Sequence, residues 1–203
     1  MQASKTFLSE QWIIEQSFEL AAQIHASNFR PSFIVGLWRG GSTVGIYVQE
    51  CLQTLGVDTD HIAIRTSYGG AQHYADQWHD HSPDIQVHGT QYLIDTLSFD
   101  DRLLIVDDVF ATGRNMCAVI AHLKAHLRRN LPSTIRSACL FEKPEQRREA
   151  LKPDYALHQT EDWLVLPYEI QGLTEEEIRQ HKPFVLELAH RYNLAAPNQP
   201  SEP

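Results

Sequence analysis

The sequence predicts an α/β fold with a mostly parallel central sheet flanked by helices. Short apolar runs alternate with longer amphipathic segments, the order typical of parallel sheets with helical crossovers. The run Leu103–Val106 is uninterruptedly aliphatic and bounded by charged residues, which is typical of a strand buried on both faces. With 203 residues, 42% of them hydrophobic and 21% charged, the chain has the size and composition of one globular domain.

Periodicity and chain breakers define the individual elements. We predict helices where apolar residues recur every three or four positions, and strands where short apolar runs stand between turns. The predicted helices cover residues 9–27, 42–55, 115–129 and 174–192, and the predicted strands cover residues 33–37, 61–66, 103–106 and 135–141. Residues 174–177 have the pattern of a capping box. Pro183 predicts a kink or a split in the last helix.

Three segments fall outside this alternation. Residues 67–88 are polar and contain glycine, and a segment of that length in a compact domain is typical of a lid. Residues 143–170 are predicted to form short strands and turns, a small subdomain over the sheet edge. Residues 195–203 carry three prolines and little that packs, so we predict a single domain over residues 1–194 and a disordered tail.

Charge and composition exclude several classes of protein. The formal net charge of −9 and the isoelectric point of about 5.6 argue against a nucleic-acid partner, which usually needs a basic face. No apolar run reaches the length that spans a bilayer, and the amino terminus lacks a secretory signal. Three cysteines without paired spacing are typical of buried thiols in a reducing compartment. We therefore expect a cytoplasmic protein without a membrane partner.

The segment after the predicted strand 103–106 carries the chemistry. Asp107 and Asp108 follow the strand directly, and the small-residue loop 111–113 leads into a helix. Carboxylates at the carboxyl end of a parallel strand lie where open α/β sheets bind ligands. The amide N–H groups of such a loop and of the first helical turn bind anions. This combination suits a sugar phosphate, with carboxylates for ribose hydroxyls and a metal ion, and amides for the phosphate.

The segment Val106-Asp107-Asp108-Val109-x-x-Thr112-Gly113 closely resembles the phosphoribosyl-diphosphate signature of type I phosphoribosyltransferases. Pro153-Asp154-Tyr155, Trp163 and Pro167-Tyr168-Glu169 resemble the bacterial hypoxanthine-type subgroup in the purine salvage branch. Together the similar segments cover most of residues 30–180. The resemblance implies a type I phosphoribosyltransferase fold, in which segment 143–170 is the hood, and a homodimer or homotetramer.

The resemblance also implies how phosphoribosyl diphosphate is bound. Asp107 and Asp108 would hold the ribose hydroxyls directly or through Mg²⁺, with Glu169 as a further ligand of the metal. The 5-phosphate would bind to Ala111, Thr112, Gly113, Arg114 and Asn115. The diphosphate would be gripped by Arg39 and Gly40, in a loop that often contains a non-proline cis peptide. Ser67 and Tyr68 would begin the catalytic lid, which excludes water from the reaction.

The implied purine site contains two opposing signals. Lys143 stands where 6-oxopurine enzymes place a donor to the exocyclic oxygen, Trp163 would stack on the base, and the Leu164 carbonyl would accept from it. However, Ala111 stands where those enzymes usually carry an aspartate and where adenine enzymes commonly carry alanine. Asn115 likewise replaces the usual threonine or serine.

Three functions therefore stay open at this point. The first is transfer to hypoxanthine, guanine or xanthine, the second is transfer to adenine, and the third is a non-catalytic regulator that binds phosphoribosyl diphosphate or a nucleotide. The histidine-rich stretch, with Trp78-His79-Asp80-His81 flanked by His73 and His88, is interpreted as solvated lid residues, because it lacks the helical spacing of a zinc site.

Overall fold

The computed structural model describes residues 5–68 and 85–194. The chain divides into two compact units. The first, termed the sheet unit, comprises residues 11–161, and the second, termed the terminal unit, comprises residues 1–10 and 162–203. The predicted hood segment 143–170 is shared between them, with residues 143–161 in the sheet unit and residues 162–170 in the terminal unit.

The helices and strands alternate along most of the chain, as the sequence predicts. In chain order they are β1 (Lys5–Phe7), α1 (Glu10–Ala26), β2 (Phe33–Trp38), α2 (Gly40–Thr54), β3 (Asp60–Tyr68), β4 (Ile85–His88), α3 (Gln91–Thr96), β5 (Arg102–Phe110), α4 (Arg114–Leu127), β6 (Thr134–Glu142), β7 (Tyr155–Gln159), β8 (Trp163–Val165), α5 (Glu175–His181) and α6 (Pro183–Arg191).

Six strands of the sheet unit form one sheet in the order β4-β3-β2-β5-β6-β7. All neighbours are parallel except β3 and β4. The predicted fold class, an α/β protein with a mostly parallel sheet, is confirmed. Since the central strands are parallel, the segments that follow β2, β5 and β6 all leave the same edge of the sheet.

The sheet is covered by helices on both faces. Along β2, Val35 and Leu37 pack into a buried cluster with residues of α3 and α4, whereas Gly36 faces α2. A Cβ atom on Gly36 would lie 2.9 Å from the Cα of Ser42, so α2 sits closer to the strand than a larger residue permits. This close packing fixes where α2 begins, at the carboxyl edge of the sheet.

The central strands extend further than the sequence predicts. The predicted strand 103–106 continues to Phe110, and its pairing with β6 extends to Glu142. The predicted strand 61–66 continues to Tyr68. Apolar patterning marks only the buried part of a strand, and backbone pairing continues beyond it where the residues turn polar. The acidic pair and Ser67 therefore lie inside strands rather than at the start of loops.

The terminal unit is a small body with its own core. Its strands β1 and β8 pair in parallel, and Val165, Leu173 and Ile178 form a buried cluster. The capping box at Thr174 and Glu177 is confirmed, with both reciprocal hydrogen bonds present. The last helix is split before Pro183 into α5 and α6, one of the two outcomes that the proline predicts. No helix within residues 5–68 and 85–194 has the length and apolar character to cross a membrane.

Candidate active site at the carboxyl edge of the sheet

Asp107 and Asp108 are consecutive residues near the carboxyl end of β5. The backbone N–H of Asp108 donates to Asp107 Oδ1 at 3.0 Å, and the N–H of Val109 donates to Asp108 Oδ1 at 2.9 Å. These two hydrogen bonds hold one oxygen of each carboxylate against the backbone. Carboxylate oxygens are the groups that bind ribose hydroxyls and divalent cations in proteins.

Electrostatics distinguish Asp107 within this pair. Burial raises the pKa of Asp107 well above the ordinary 3.8, and the neighbouring charge of Asp108 raises it further. A buried carboxyl beside another carboxylate favours the protonated form unless a cation compensates its charge. The raised pKa therefore favours the protonated form of Asp107 when no cation is bound.

The loop that follows β5 has the geometry of an anion site. Gly113 adopts a left-handed conformation, with φ of 80°, and α4 begins at the next residue. The Thr112 hydroxyl accepts from the N–H of Arg114 at 3.3 Å, and the Thr112 carbonyl accepts from the N–H of Arg148 at 3.0 Å. The amides at the start of a helix and the helix dipole both favour a negative ligand.

A second loop from β2 meets the acidic pair. The peptide bond between Trp38 and Arg39 is cis, matching the feature that the resemblance implies for this loop. The helix α2 begins at Gly40, two residues earlier than predicted. Gly41 lies against β5, because a Cβ atom there would be 2.4 Å from the Val106 carbonyl oxygen and 2.8 Å from the Cα of Asp107.

Ser42 adds an unexpected feature to this loop. Its Oγ is buried and, among residues 5–68 and 85–194, is the one buried side-chain oxygen or nitrogen without a hydrogen-bond partner. Unpaired buried hydroxyls are costly in a folded protein. This hydroxyl belongs to the first turn of α2, directly after Gly41.

The predicted start of the lid is partly described. Ser67 lies in β3, and its Oγ is hydrogen bonded to Nε2 of His88 in β4 at 2.9 Å. Tyr68 is the Cα partner of Ile85 in the same antiparallel pairing. Most of the predicted lid, and with it His73 and the stretch 78–81, lies outside the described residues. Within the described residues, no group of three or more histidine, cysteine or acidic side chains is arranged to hold a metal ion.

Lys143 directly follows β6 and lies beside the end of β5. Its backbone N–H donates to the Phe110 carbonyl at 2.9 Å, which ties it to the residue preceding Ala111. The sheet unit thus brings together the loop at Arg39 and Gly40, the acidic pair, the loop from Ala111 to Asn115, and Lys143, as predicted for one site. Parallel strands with a common carboxyl edge are the physical cause.

The remaining predicted residues lie in the terminal unit. Trp163 is half exposed in β8, with Lys5 Nζ located 5.2 Å from the centre of its ring, whereas Leu164 is buried. The Glu169 carboxylate accepts from the N–H of Leu166 at 3.0 Å. Their predicted roles in purine and metal binding stay predictions.

Lys182 is a buried residue that the sequence analysis does not single out. It donates to the carbonyls of Leu166 and Pro167 at 3.0 and 2.6 Å. Burial lowers the pKa of this lysine, although Glu169 partly opposes the effect. A lysine ahead of a proline between two helical patterns carries no sequence signal of burial, so only the structure reveals it.

Gly41 and Glu142 are two further residues that sequence reasoning misses. The doubled glycine at 40–41 is the available signal for a close backbone approach. A charged residue inside the β6 pattern, directly before Lys143, is the available signal for Glu142.

These features define the class of the protein as an α/β protein in which two loops, each opening a helix, lie beside an acidic pair. The phosphoribosyl transferase domain family matches residues 4–171, which is most of the chain. The chain therefore belongs to the phosphoribosyltransferase domain family, and the prediction of a phosphoribosyltransferase is confirmed.

Solved structures of other proteins have a similar fold. A purine phosphoribosyltransferase from Pyrococcus horikoshii Ot3 is 26% identical, with a TM-score of 0.60, over 84% of this chain and 98% of that one. A hypothetical protein from Neisseria gonorrhoeae, solved with bound ppGpp, is 15% identical, with a TM-score of 0.69, over 91% and 98%. The Helicobacter pylori xanthine-guanine-hypoxanthine phosphoribosyltransferase is 18% identical, with a TM-score of 0.60, over 88% and 100%. No curated protein sequence matches the chain.

Proposed function

We propose that the protein transfers the 5-phosphoribosyl group from phosphoribosyl diphosphate to a 6-oxopurine, giving a nucleoside monophosphate and diphosphate. The close approach of Gly41 to Val106 and Asp107 carries this proposal, because it sets two anion-binding loops beside one acidic pair. Phosphoribosyl diphosphate presents the matching groups, namely a phosphate at C5, a diphosphate at C1 and two ribose hydroxyls. The purine is supported by the fold neighbour from Pyrococcus horikoshii.

In this reaction, a bond forms between a purine nitrogen and C1 as the bond from C1 to the diphosphate oxygen breaks. The electron pair of the broken bond leaves with the diphosphate, and the attacking nitrogen loses its proton. Arg39 and the first turn of α2 bind the diphosphate, and residues 111–115 hold the 5-phosphate. Positioning two substrates in this way accounts for a large part of a transfer rate.

Mg²⁺ fits the acidic pair. This ion usually takes one or two protein carboxylates and completes its shell with water and substrate oxygens, so the pair needs no third protein ligand to hold it with substrate. Asp107 and Asp108 would be the ligands, and Glu169 is proposed as a further one. When bound, Mg²⁺ would neutralise charge on the departing diphosphate. The raised pKa of Asp107 is consistent with a carboxyl whose negative charge would be compensated by a bound cation.

Lys143, Trp163 and Leu164 are proposed to bind the purine. The Lys143 ammonium can only donate, so it favours the carbonyl of a 6-oxopurine over the amino group of adenine. Trp163 is half exposed and offers a face for stacking. The Leu164 carbonyl would accept from the base. Ser67 and Tyr68 are proposed to begin the lid that excludes water.

Ala111 favours two alternative functions. It removes the carboxylate that handles the purine proton in 6-oxopurine enzymes, so adenine is the second candidate acceptor. Ala111 together with Asn115 also favours a regulator that binds phosphoribosyl diphosphate or a nucleotide without transfer. The ppGpp bound to the Neisseria protein shows a nucleotide ligand on this fold. Assembly as a dimer or tetramer and a cytoplasmic location stay predictions.

Diphosphate release in the presence of Mg²⁺ tests these alternatives, with hypoxanthine, guanine, xanthine and adenine supplied separately. Release with a 6-oxopurine is the expected result. Release with adenine alone would show that Ala111, rather than Lys143, predicts which base is used. If phosphoribosyl diphosphate binds but no base gives release, the regulatory function is the correct one.

A further inference from the structure

A buried carboxylate that the proposed transfer does not use lies directly before Lys143. Glu142 is the last residue of β6 and is 7% exposed. Its Oε1 accepts from Arg147 Nη1 at 2.9 Å, and its Oε2 accepts from Gln159 Nε2 at 3.0 Å. Gln159 is also its Cα partner on β7. The two oxygens are therefore held by two different segments of the chain.

Backbone hydrogen bonds also hold the chain on both sides of Glu142 and Lys143. The Glu142 carbonyl accepts from the N–H of Thr160 at 3.1 Å, and the Lys143 N–H donates to the Phe110 carbonyl at 2.9 Å. The Lys143 carbonyl accepts from the N–H of Gln146 at 3.2 Å. Backbone hydrogen bonds thus connect Glu142 and Lys143 to the end of β5, to the residue that follows β7 and to the turn that leads to Arg147.

A carboxylate buried to this degree is stable only when it is paired and hydrogen bonded. Removing its charge would free Arg147, whose side chain is partly buried as well. The turn from Lys143 to Arg147 would then lose the side-chain contact that connects its end to β6. Lys143 lies within that turn, directly after Glu142.

A carboxylate beside a purine site has two conceivable roles. It can handle the purine proton, as the aspartate does that 6-oxopurine enzymes carry at the position of Ala111. Alternatively, it can position the neighbouring residues. The first role requires an oxygen that faces the ligand. Both oxygens of Glu142 are instead engaged by Arg147 and Gln159.

We infer that Glu142, paired with Arg147 and Gln159, is a positioning residue that orients Lys143 toward the exocyclic oxygen of the purine. The inference rests on the proposed function and deepens its account of base recognition.

Steady-state kinetics of Glu142→Gln and Arg147→Met, with the 6-oxopurine that the wild type uses best, test this role. The KM for the purine is expected to rise about tenfold, the loss expected for one charge-assisted hydrogen bond. The kcat and the KM for phosphoribosyl diphosphate are expected to stay at wild-type values. Arg147→Lys keeps the charge and one donor, so its purine KM should lie between those of the wild type and Arg147→Met.

Asp154→Asn is the matched control for a purely structural effect. Asp154 accepts from the N–H and the Oγ of Ser137 at 2.8 and 3.1 Å, so it links β6 to the start of β7 at the other end of the two strands. Its replacement should lower the melting temperature and leave the purine KM unchanged.

The other outcomes overturn the inference in distinguishable ways. A fall in kcat with an unchanged purine KM in Glu142→Gln would assign proton handling to Glu142. Equal rises in the two KM values, tracking the melting temperature as in Asp154→Asn, would leave only a structural role. A wild type that turns over no purine would refute the proposed function itself, before any variant is compared.

Discussion

The two ends of the proposed substrate are served by regions that are built differently. The proposed phosphoribosyl region, comprising residues 39–42 and 107–115, contains a left-handed glycine and a glycine packed against a strand. The proposed base region, comprising Lys143, Trp163 and Leu164, would use side chains or a single carbonyl. A region built from backbone tolerates little change, whereas one built from side chains can change specificity by substitution.

Gly41→Ala should have the largest effect on turnover, because the added methyl group would disrupt the close contact between α2 and β5 in the proposed phosphoribosyl region. The new Cβ would lie 2.4 Å from the Val106 carbonyl oxygen, so α2 or β5 must move. Overpacking of this kind costs about 1–3 kcal/mol, and a displacement of the site by about 1 Å costs about a hundredfold in rate. Melting curves and turnover measure the two effects.

Gly45→Ala is the control for Gly41→Ala in the same helix. A Cβ atom there would lie 3.7 Å from the Cα of Gly36, an ordinary contact, and alanine favours the helix. Stability and turnover should therefore hold. Full turnover in Gly41→Ala would show that the close approach is dispensable.

The difference between the regions also explains how far the sequence predicts them. The pattern around Asp107 and Asp108 identifies its site because backbone-built loops require particular residues in consecutive positions. The apolar runs likewise predict the four central strands. The short elements β1, β4 and α3 carry too few residues for a periodic signal. The contacts of Glu142 with Gln159, and of Lys182 with the Leu166 and Pro167 carbonyls, join residues 15 to 17 positions apart, which no local pattern records.

Asp108→Asn should lower turnover by about tenfold or more while the fold stays intact, since binding of the ribose and of Mg²⁺ depends on the charge of the pair. Steady-state kinetics and a melting curve together measure this effect. Near-normal kinetics would remove Asp108 from the site.

Asp101→Asn is the matched control at the opposite end of β5. Asp101 accepts from the Ser32 hydroxyl at 2.8 Å and from the Ser98 N–H at 2.8 Å. Its replacement should cost stability without changing kcat. A comparable fall in kcat would mean that any damage to β5 impairs the site.

Trp163→Ala tests the base region and should act on one substrate only. Loss of stacking on a base costs about 1–3 kcal/mol, which corresponds to a rise in the purine KM of about fivefold to 150-fold. The KM for phosphoribosyl diphosphate should not change. Trp163→Phe keeps an aromatic face and should recover most of the affinity. Equal effects on the two substrates would place Trp163 in a structural role within the terminal unit.

Asp107→Asn should have the smallest effect on stability. The direction of the change in melting temperature tests whether the charge of Asp107 destabilises the fold. Because the pKa of Asp107 is raised in the folded state, the folded protein binds a proton more readily than the unfolded chain. Stability therefore falls as pH rises from the ordinary carboxyl pKa through the raised one, and the cost is fully present above that window. Asparagine removes it, so without Mg²⁺ the melting temperature at neutral pH should rise by the order of a few degrees.

Asp101, which directly precedes β5, should change the melting temperature in the opposite direction. Burial raises the pKa of Asp101, but hydrogen bonds from Ser98 and Ser32 together lower it below its ordinary value. Asp101→Asn should therefore lower the melting temperature at neutral pH. The Asp107→Asn difference should shrink as pH falls from the raised pKa to about 4, whereas the Asp101→Asn difference should shrink only below about 4, as pH falls through the lowered pKa. Thermal melts of the two variants over this range measure both signs. A gain for Asp107→Asn that persists at acidic pH would show that packing, rather than the buried charge of the acidic pair, sets the stability of this edge of the sheet.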